Sequence, residues 1–456
     1  MAEADHKADH LCVLVHGLWG NPSHLKYVAT ALRERHGEDR LYILAAQSNA
    51  GNNTYDGIEL GGERVAHEIE ETLGKLSEQG YRIKKLSVVG YSMGGLVARY
   101  AIGLLEAHGW FNKLEPVNFT TFASPHVGVR SPVKGVWSYL FNVLGPRTLS
   151  MSGKQMFMVD KFRDTGKPLL SVLATPDSIF MRGLARFKNR AVYGNIINDR
   201  STVFYTTAIS KVDPFHDPEN TRFNYISGYE PVIIDMNQYI APHVDDAEEG
   251  NAEERTSSAV ALLRRYMVGP AKRAPFYLFL VCFVPVSLTL FLLASVVQTF
   301  RSNKRIQLHN EGKAGIVPTK YRVPVMVRDM QGAVEDVFEN VNASQDPEYL
   351  DEDEEGYADH NMHNGNARKP PSKEKNAGKS PTAESPADDV KYPLLALTRE
   401  QFDIIDSLNA IGFRKYPVYI HKAMHSHAAI IVRMPRESFS EGKIVVKHWL
   451  DNEFEL

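Results

Sequence analysis

One hexapeptide limits what this 456-residue chain can fold into. It is Gly90-Tyr91-Ser92-Met93-Gly94-Gly95, a G-x-S-x-G with one further glycine. The pattern carries meaning only between a strand and a helix, where a sharp turn lifts a serine hydroxyl above a parallel sheet. Its flanks supply that setting. Lys85 to Gly90 reads as a buried strand, and Leu96 to Leu105 as a helix. Gly90 and Gly94 are the small neighbours that a strained serine turn requires. A helix N-terminus at Ser92 favours developing negative charge. A serine held by chance in a Gly-rich turn would not bring both flanks with it.

Leu11 to His16 predicts an earlier strand, Gly62 to Leu76 an amphipathic helix, and Val117 to Ala123 and Arg190 to Ile197 further strands. This alternation predicts an α/β fold, a parallel sheet flanked by helices. Residues 130–185 are rich in aromatic and Met residues between Gly and Pro breaks, and predict a cap of short helices. After the first strand comes His16-Gly17-Leu18-Trp19-Gly20. Such a loop suits an oxyanion hole, with the backbone amides of Leu18 and Met93 as the two donors. Gly17 lets the Leu18 amide turn inward, His16 supports the loop, and Trp19 is expected to be a pocket wall.

These motifs, with Ala123-Ser124-Pro125-His126 and the stretch from Asn198-Asp199-Arg200 to Asp213-Pro214-Phe215, make the chain resemble the putative serine esterase family of lipases. That family belongs to the α/β-hydrolase superfamily, and the likeness is greatest to its fungal lipid-droplet phospholipase branch. It covers about residues 9–240 well and 393–450 more loosely. The resemblance implies an α/β-hydrolase fold and a lipase or phospholipase activity. Position 91 is Tyr where such lipases often carry His, a neighbour expected not to touch the chemistry.

In this fold the order along the chain is Ser, acid, His. Asp199, after the strand ending near Ile197, is the expected acid, with Asp213 second because Asp213-Pro214 reads as a turn. Family members often carry Val-Pro after this Asp, where Thr202-Val203-Phe204 stands here. The base is sought late in the chain, at His421, His425 or His427, after an expected strand at Tyr416–Ile420. His427 directly precedes an apolar run and is preferred, with His425 second. A zinc reading of these three fails because neither cysteine nor carboxylate accompanies them.

Charged residues make up 23% of the chain and the net charge is -3, so no nucleic-acid footprint is present. Cys12 and Cys282 are the two cysteines, which excludes a disulfide framework and a cysteine zinc site. No metal or cofactor is called for, and nothing names a protein partner. Met1 to His10 is polar, without the apolar core of a secretory signal, so the core is expected to face the cytosol and the three Asn-x-Ser/Thr sites to be chance.

Four segments follow from composition. Residues 1–243 carry the hydrolase core. Residues 244–342 hold a polar helix at Glu253–Met267 and an uncharged stretch from Ala274 to Phe300. Residues 343–392 are expected to be a disordered acidic and Pro-rich insertion, and 393–456 complete the core and carry the base. The apolar stretch is long enough to enter a bilayer, yet it lies between acid and base. One crossing would separate them, and the base would then have to be His216 or His243. Pro285 and the basic flanks suit instead a hairpin dipping into one leaflet, as on a lipid droplet or the endoplasmic reticulum. The expected substrate is an acyl ester of a glycerolipid, a glycerophospholipid or else an acylglycerol. The alternatives are a depalmitoylase or acyltransferase with the same triad, and a non-catalytic membrane adaptor that kept the fold.

Overall fold

The computed structural model describes residues 7–130, 136–199, 201–215, 218, 221–238, 286, 289–324 and 394–456. The expected helix at 253–267, the insertion 343–392, the first half of the apolar stretch, Cys282, His216 and His243 lie outside the described residues.

Six parallel strands form one sheet in the order β2-β1-β3-β4-β5-β6. They are β1 (His10–Val15), β2 (Leu41–Ala45), β3 (Lys85–Tyr91), β4 (Glu115–Phe122), β5 (Asn189–Asn195) and β6 (Arg414–Val418). Strand side chains alternate between faces, and β1 shows it. Leu11, Val13 and Val15 enter a core shared with helices α2 (Ile58–Glu78) and α3 (Met93–Ala107). Cys12 and Leu14 enter the opposite core, with α1 (Lys26–His36) and the C-terminal helix Glu441–Asn452. Both faces are therefore covered, as a parallel sheet demands.

The sequence reading did not anticipate β2 or α1. Edge strand β2 is short and only Leu41 in it is fully buried, so its apolar signal is weak. Within the expected cap, residues 136–185 form short helices, and the later ones are built into the core. Phe180 packs against Gly103 of α3, and Leu169, Leu170 and Leu173 are buried with α2 and α3. A further helix covers 289–310. Among the described residues, no helix is long and apolar enough to cross a membrane.

The sheet order matters for position. The chain leaves β1 toward β2 and leaves β3 toward β4, so the loops after β1 and β3 diverge and leave a crevice at the carboxyl edge. Ligands of open α/β sheets bind at such a switch point. Ser92 follows β3, and His16–Gly20 follows β1.

Candidate active site

Ser92 sits between β3 and α3 with φ 55 and ψ -133, a left-handed conformation that costs a non-glycine residue energy. The glycines around it make this possible. A Cβ on Gly90 would run into the backbone of Gly95, and one on Gly94 into the carbonyls of Val15 and His16. The Ser92 amide donates to Phe122 O at 2.9 Å, tying the turn to the end of β4.

His427 brings its Nε2 to 3.0 Å from Ser92 Oγ and its Nδ1 to 2.8 Å from Asp199 Oδ2. Asp199 is buried and richly held. Oδ1 accepts from the amides of Ser201 and Thr202 at 3.0 and 2.8 Å, and Oδ2 from Asn195 Nδ2 and Thr202 Oγ1, both at 3.0 Å. Burial alone would raise its pKa. The neighbouring His427 and the hydrogen bonds from His427, Asn195 and Thr202 outweigh burial, and the net shift is downward. The acid thus stays ionised beside the imidazole.

Two hydrogen bonds fix the histidine's own segment. Tyr91 Oη donates to His427 O at 2.9 Å, and Ser426 Oγ donates to Ile197 O at 2.7 Å. The Tyr91 ring lies 5.1 Å from the imidazole. The expectation that residue 91 stands apart from the chemistry is therefore corrected: its side chain supports the histidine. Sequence reasoning missed it because the contact joins residues far apart in the chain.

The remaining residues fall into place around this trio. Gly17 lies against the serine so closely that a Cβ there would be 2.6 Å from Ser92 Cβ. Met93 opens α3, so its amide has no acceptor one turn earlier. Gly17 and Met93 thus flank the serine, one from the loop after β1 and the other from the start of α3. His16 is buried under this loop, with Nδ1 3.1 Å from Gly17 O, and burial lowers its pKa. Trp19 is exposed rather than a closed wall, and its Nε1 donates to Tyr55 Oη at 2.7 Å. His425 begins the short helix Ser426–Ala429, accepting at its carbonyl from Ala428 and Ala429. His421 stacks on Tyr419 and faces Glu441, and Asp213 accepts from the amide of Phe215 at 3.0 Å within its own turn. Among the described residues no cluster of side chains could hold a metal ion.

Residues 5–212 match the family described as "Putative serine esterase (DUF676)". This part of the chain is similar to that family. The match contains Ser92 and Asp199 and ends long before His427. "Putative lipase ROG1" of Saccharomyces cerevisiae is 32% identical over 305 residues, covering 59% of this chain and 43% of that protein. A second protein named as a putative lipase, from Schizosaccharomyces pombe, is 26% identical and covers 57% of this chain and 35% of its own length. The chain thus spans less than half the length of these relatives. Among solved structures, one described as RedJ with a PEG molecule bound in its active site is 21% identical, covers 34% of this chain and 60% of that one, and has a TM-score of 0.22. An extracellular α/β-hydrolase from a Paenibacillus species is 14% identical, covers 29% and 50%, and has a TM-score of 0.20.

Proposed function

We propose that this chain is a serine lipase or phospholipase that cleaves acyl esters of glycerolipids at a membrane or lipid-droplet surface. The observation that carries the reading is the relay from Ser92 Oγ through His427 to Asp199, at 3.0 and 2.8 Å. In this mechanism His427 Nε2 takes the Ser92 proton as Oγ attacks the ester carbonyl. Asp199 keeps the other ring nitrogen protonated and steadies the imidazolium. The amides of Leu18 and Met93 stabilise the oxyanion, and losing one such donor costs about 10²–10³-fold in turnover. His427 then gives its proton to the departing alcohol, and water, activated by the same imidazole, releases the fatty acid from Ser92.

Chain order supports the lipid-surface reading. Ile234 and Ser302, on either side of the apolar stretch, both pack on the hydrolase domain, through Pro417 and Tyr55. In this reading Ala274 to Phe300 enters and leaves one leaflet, and the catalytic domain stays on the cytosolic side. A fluorophosphonate probe, followed by phospholipid and triacylglycerol offered in parallel, tests the activity. Absence of Ser92 labelling in folded protein would overturn the esterase reading, and labelling without lipid hydrolysis would overturn the lipid one.

A further inference from the structure

We propose that the helix over 289–310 and the loop 51–56 form a rigid mount, which holds the mouth of the Ser92 site, at Trp19, against the lipid surface that receives the helix's apolar half. This rests on the esterase reading for what the mouth does, but not for where it faces.

The helix has two unlike halves. Residues 301–310 are moored to the domain. Ser302 Oγ donates to Tyr55 O at 3.2 Å, and Arg305 donates to Asn52 O at 2.8 Å and pairs with Asp56 at 2.6 Å. His309 Nε2 lies 2.6 Å from Glu63 Oε2. The Asp56 carboxylate is wholly buried and also takes Arg64 at 2.8 Å. Pulling the helix away would take one of two guanidinium partners from this buried carboxylate, and removing a partner from a buried charge is destabilising.

Residues 289–300 carry no charge. Leu290, Phe291, Leu292, Val296 and Phe300 are 38–72% exposed. Successive helical residues are about 100° apart, so these side chains spread over most of the circumference, leaving a narrow strip that holds buried Ser295 and half-buried Gln298, whose Nε2 donates to Asn52 Oδ1 at 3.2 Å. A protein groove covers one stripe, whereas apolar exposure over most of the circumference calls for an apolar solvent. The hydroxyls of Ser295 and Thr299 donate back to the carbonyls of Phe291 and Ser295, both at 2.9 Å, which leaves them satisfied away from water. Exposed Arg301 and Lys304 stand where the apolar half ends, at the level of anionic headgroups. At about 1.5 Å per residue the stretch 289–300 is roughly 18 Å long, enough to enter one leaflet of a core about 30 Å thick.

The mooring also sets direction. Residues 302, 305 and 309 meet Tyr55, Asp56 and Glu63 in the same order, so the helix runs parallel to the start of α2. That start lies at the carboxyl edge of the sheet, the edge that carries Ser92. The apolar half therefore projects beyond the active-site edge. Loop 51–56 joins it to the oxyanion loop: Trp19 donates from its amide to Thr54 Oγ1 at 3.1 Å and from Nε1 to Tyr55 Oη at 2.7 Å, and Gly51 donates to Gly20 O at 2.8 Å. Trp19 is 54% exposed with φ 54, a conformation unusual for a large aromatic. Its ring stands beside the point where the helix leaves the domain. The acyl ester is then drawn from the leaflet that holds the helix.

The test uses the full chain carrying Ser92→Ala, so that no lipid is consumed, with vesicles of phosphatidylcholine and phosphatidylserine bearing brominated acyl chains. Vesicles should quench tryptophan emission, and Trp19→Phe should remove at least half of the quenched signal while Trp110→Phe does not. Gln298→Ala with Ser302→Ala should leave vesicle sedimentation intact and weaken Trp19 quenching severalfold. Failure to bind vesicles, binding without quenching of Trp19, or full quenching in the double variant would each overturn the mount. Because no turnover is read, a protein that quenches as expected but hydrolyses no lipid would defeat the esterase reading alone.

Discussion

At the scale of single residues, the site is held by side chains whose functions differ. Ser92→Ala removes the hydroxyl that faces His427 Nε2 and should lower ester turnover by about 10⁶-fold, as comparable losses do elsewhere, while thermal unfolding is little changed. His427→Ala should match it. His425→Ala should stay within about tenfold of the parent, since its carbonyl, not its ring, serves the helix Ser426–Ala429. Steady-state kinetics on a soluble ester checks both, and the reverse ranking would move the base to His425. Tyr91→Phe keeps the ring beside the imidazole and deletes only the hydrogen bond to His427 O. A hydrogen bond of that kind contributes about 1 kcal/mol net, so kcat should fall several-fold with KM unchanged. A loss of KM alone would mean Tyr91 serves the substrate and not the histidine.

At the scale of elements, Glu70 on α2 shows how the segment after the apolar helix is tied down. Burial would raise its pKa, but hydrogen bonds from His108, Lys320, Tyr321 and Trp110 prevail and hold it at about 2. Its partners lie at the end of α3, just beyond it, and in the turn Pro318–Tyr321. The folded state binds this proton less tightly than the unfolded chain does. The resulting stability is therefore present above the ordinary carboxylate range and is lost as pH falls toward 2. Glu70→Gln should lower Tm at pH 7, and the gap to the parent should close at about pH 2–3. Equal gaps at both pH values would show that Glu70 contributes by packing alone.

At the scale of the whole molecule, residues 394–456 are inseparable from the sheet they complete. They supply edge strand β6, paired in parallel with β5 from Ala191↔Arg414 to Asn195↔Val418, and the helix that buries Trp449 against Phe122. Asp199 and His427 thus follow neighbouring strands although the apolar stretch separates them in sequence. Deleting 274–300 should release the protein from membranes and leave fluorophosphonate labelling of Ser92 in solution. Protease protection should place residue 456 on the same side as Ser92. A luminal C-terminus in an active enzyme would rule out the one-leaflet hairpin.

The amino-acid order specifies the candidate nucleophile, Ser92, because a serine between two glycines at a strand-to-helix junction is a local pattern with a local steric cause. It also determined the H-G-L-W-G loop, the parallel α/β class and the apolar stretch, all of which are written in consecutive residues. Asp199 and His427 were legible only as the acid and base that chain order requires, with Asp213 and His425 beside them. Tertiary structure alone decided which of these meet. A hydrogen bond of 2.8 Å between residues 199 and 427 depends on β5 and β6 lying side by side, which no local pattern encodes. The same holds for Tyr91 beneath the histidine and for the Arg305–Asp56 pair that aims the helix over 289–310. Edge strand β2 escaped the sequence because one buried leucine leaves almost no periodic signal. Local sterics can be read residue by residue, whereas partners brought together by sheet closure exist only once the chain has folded.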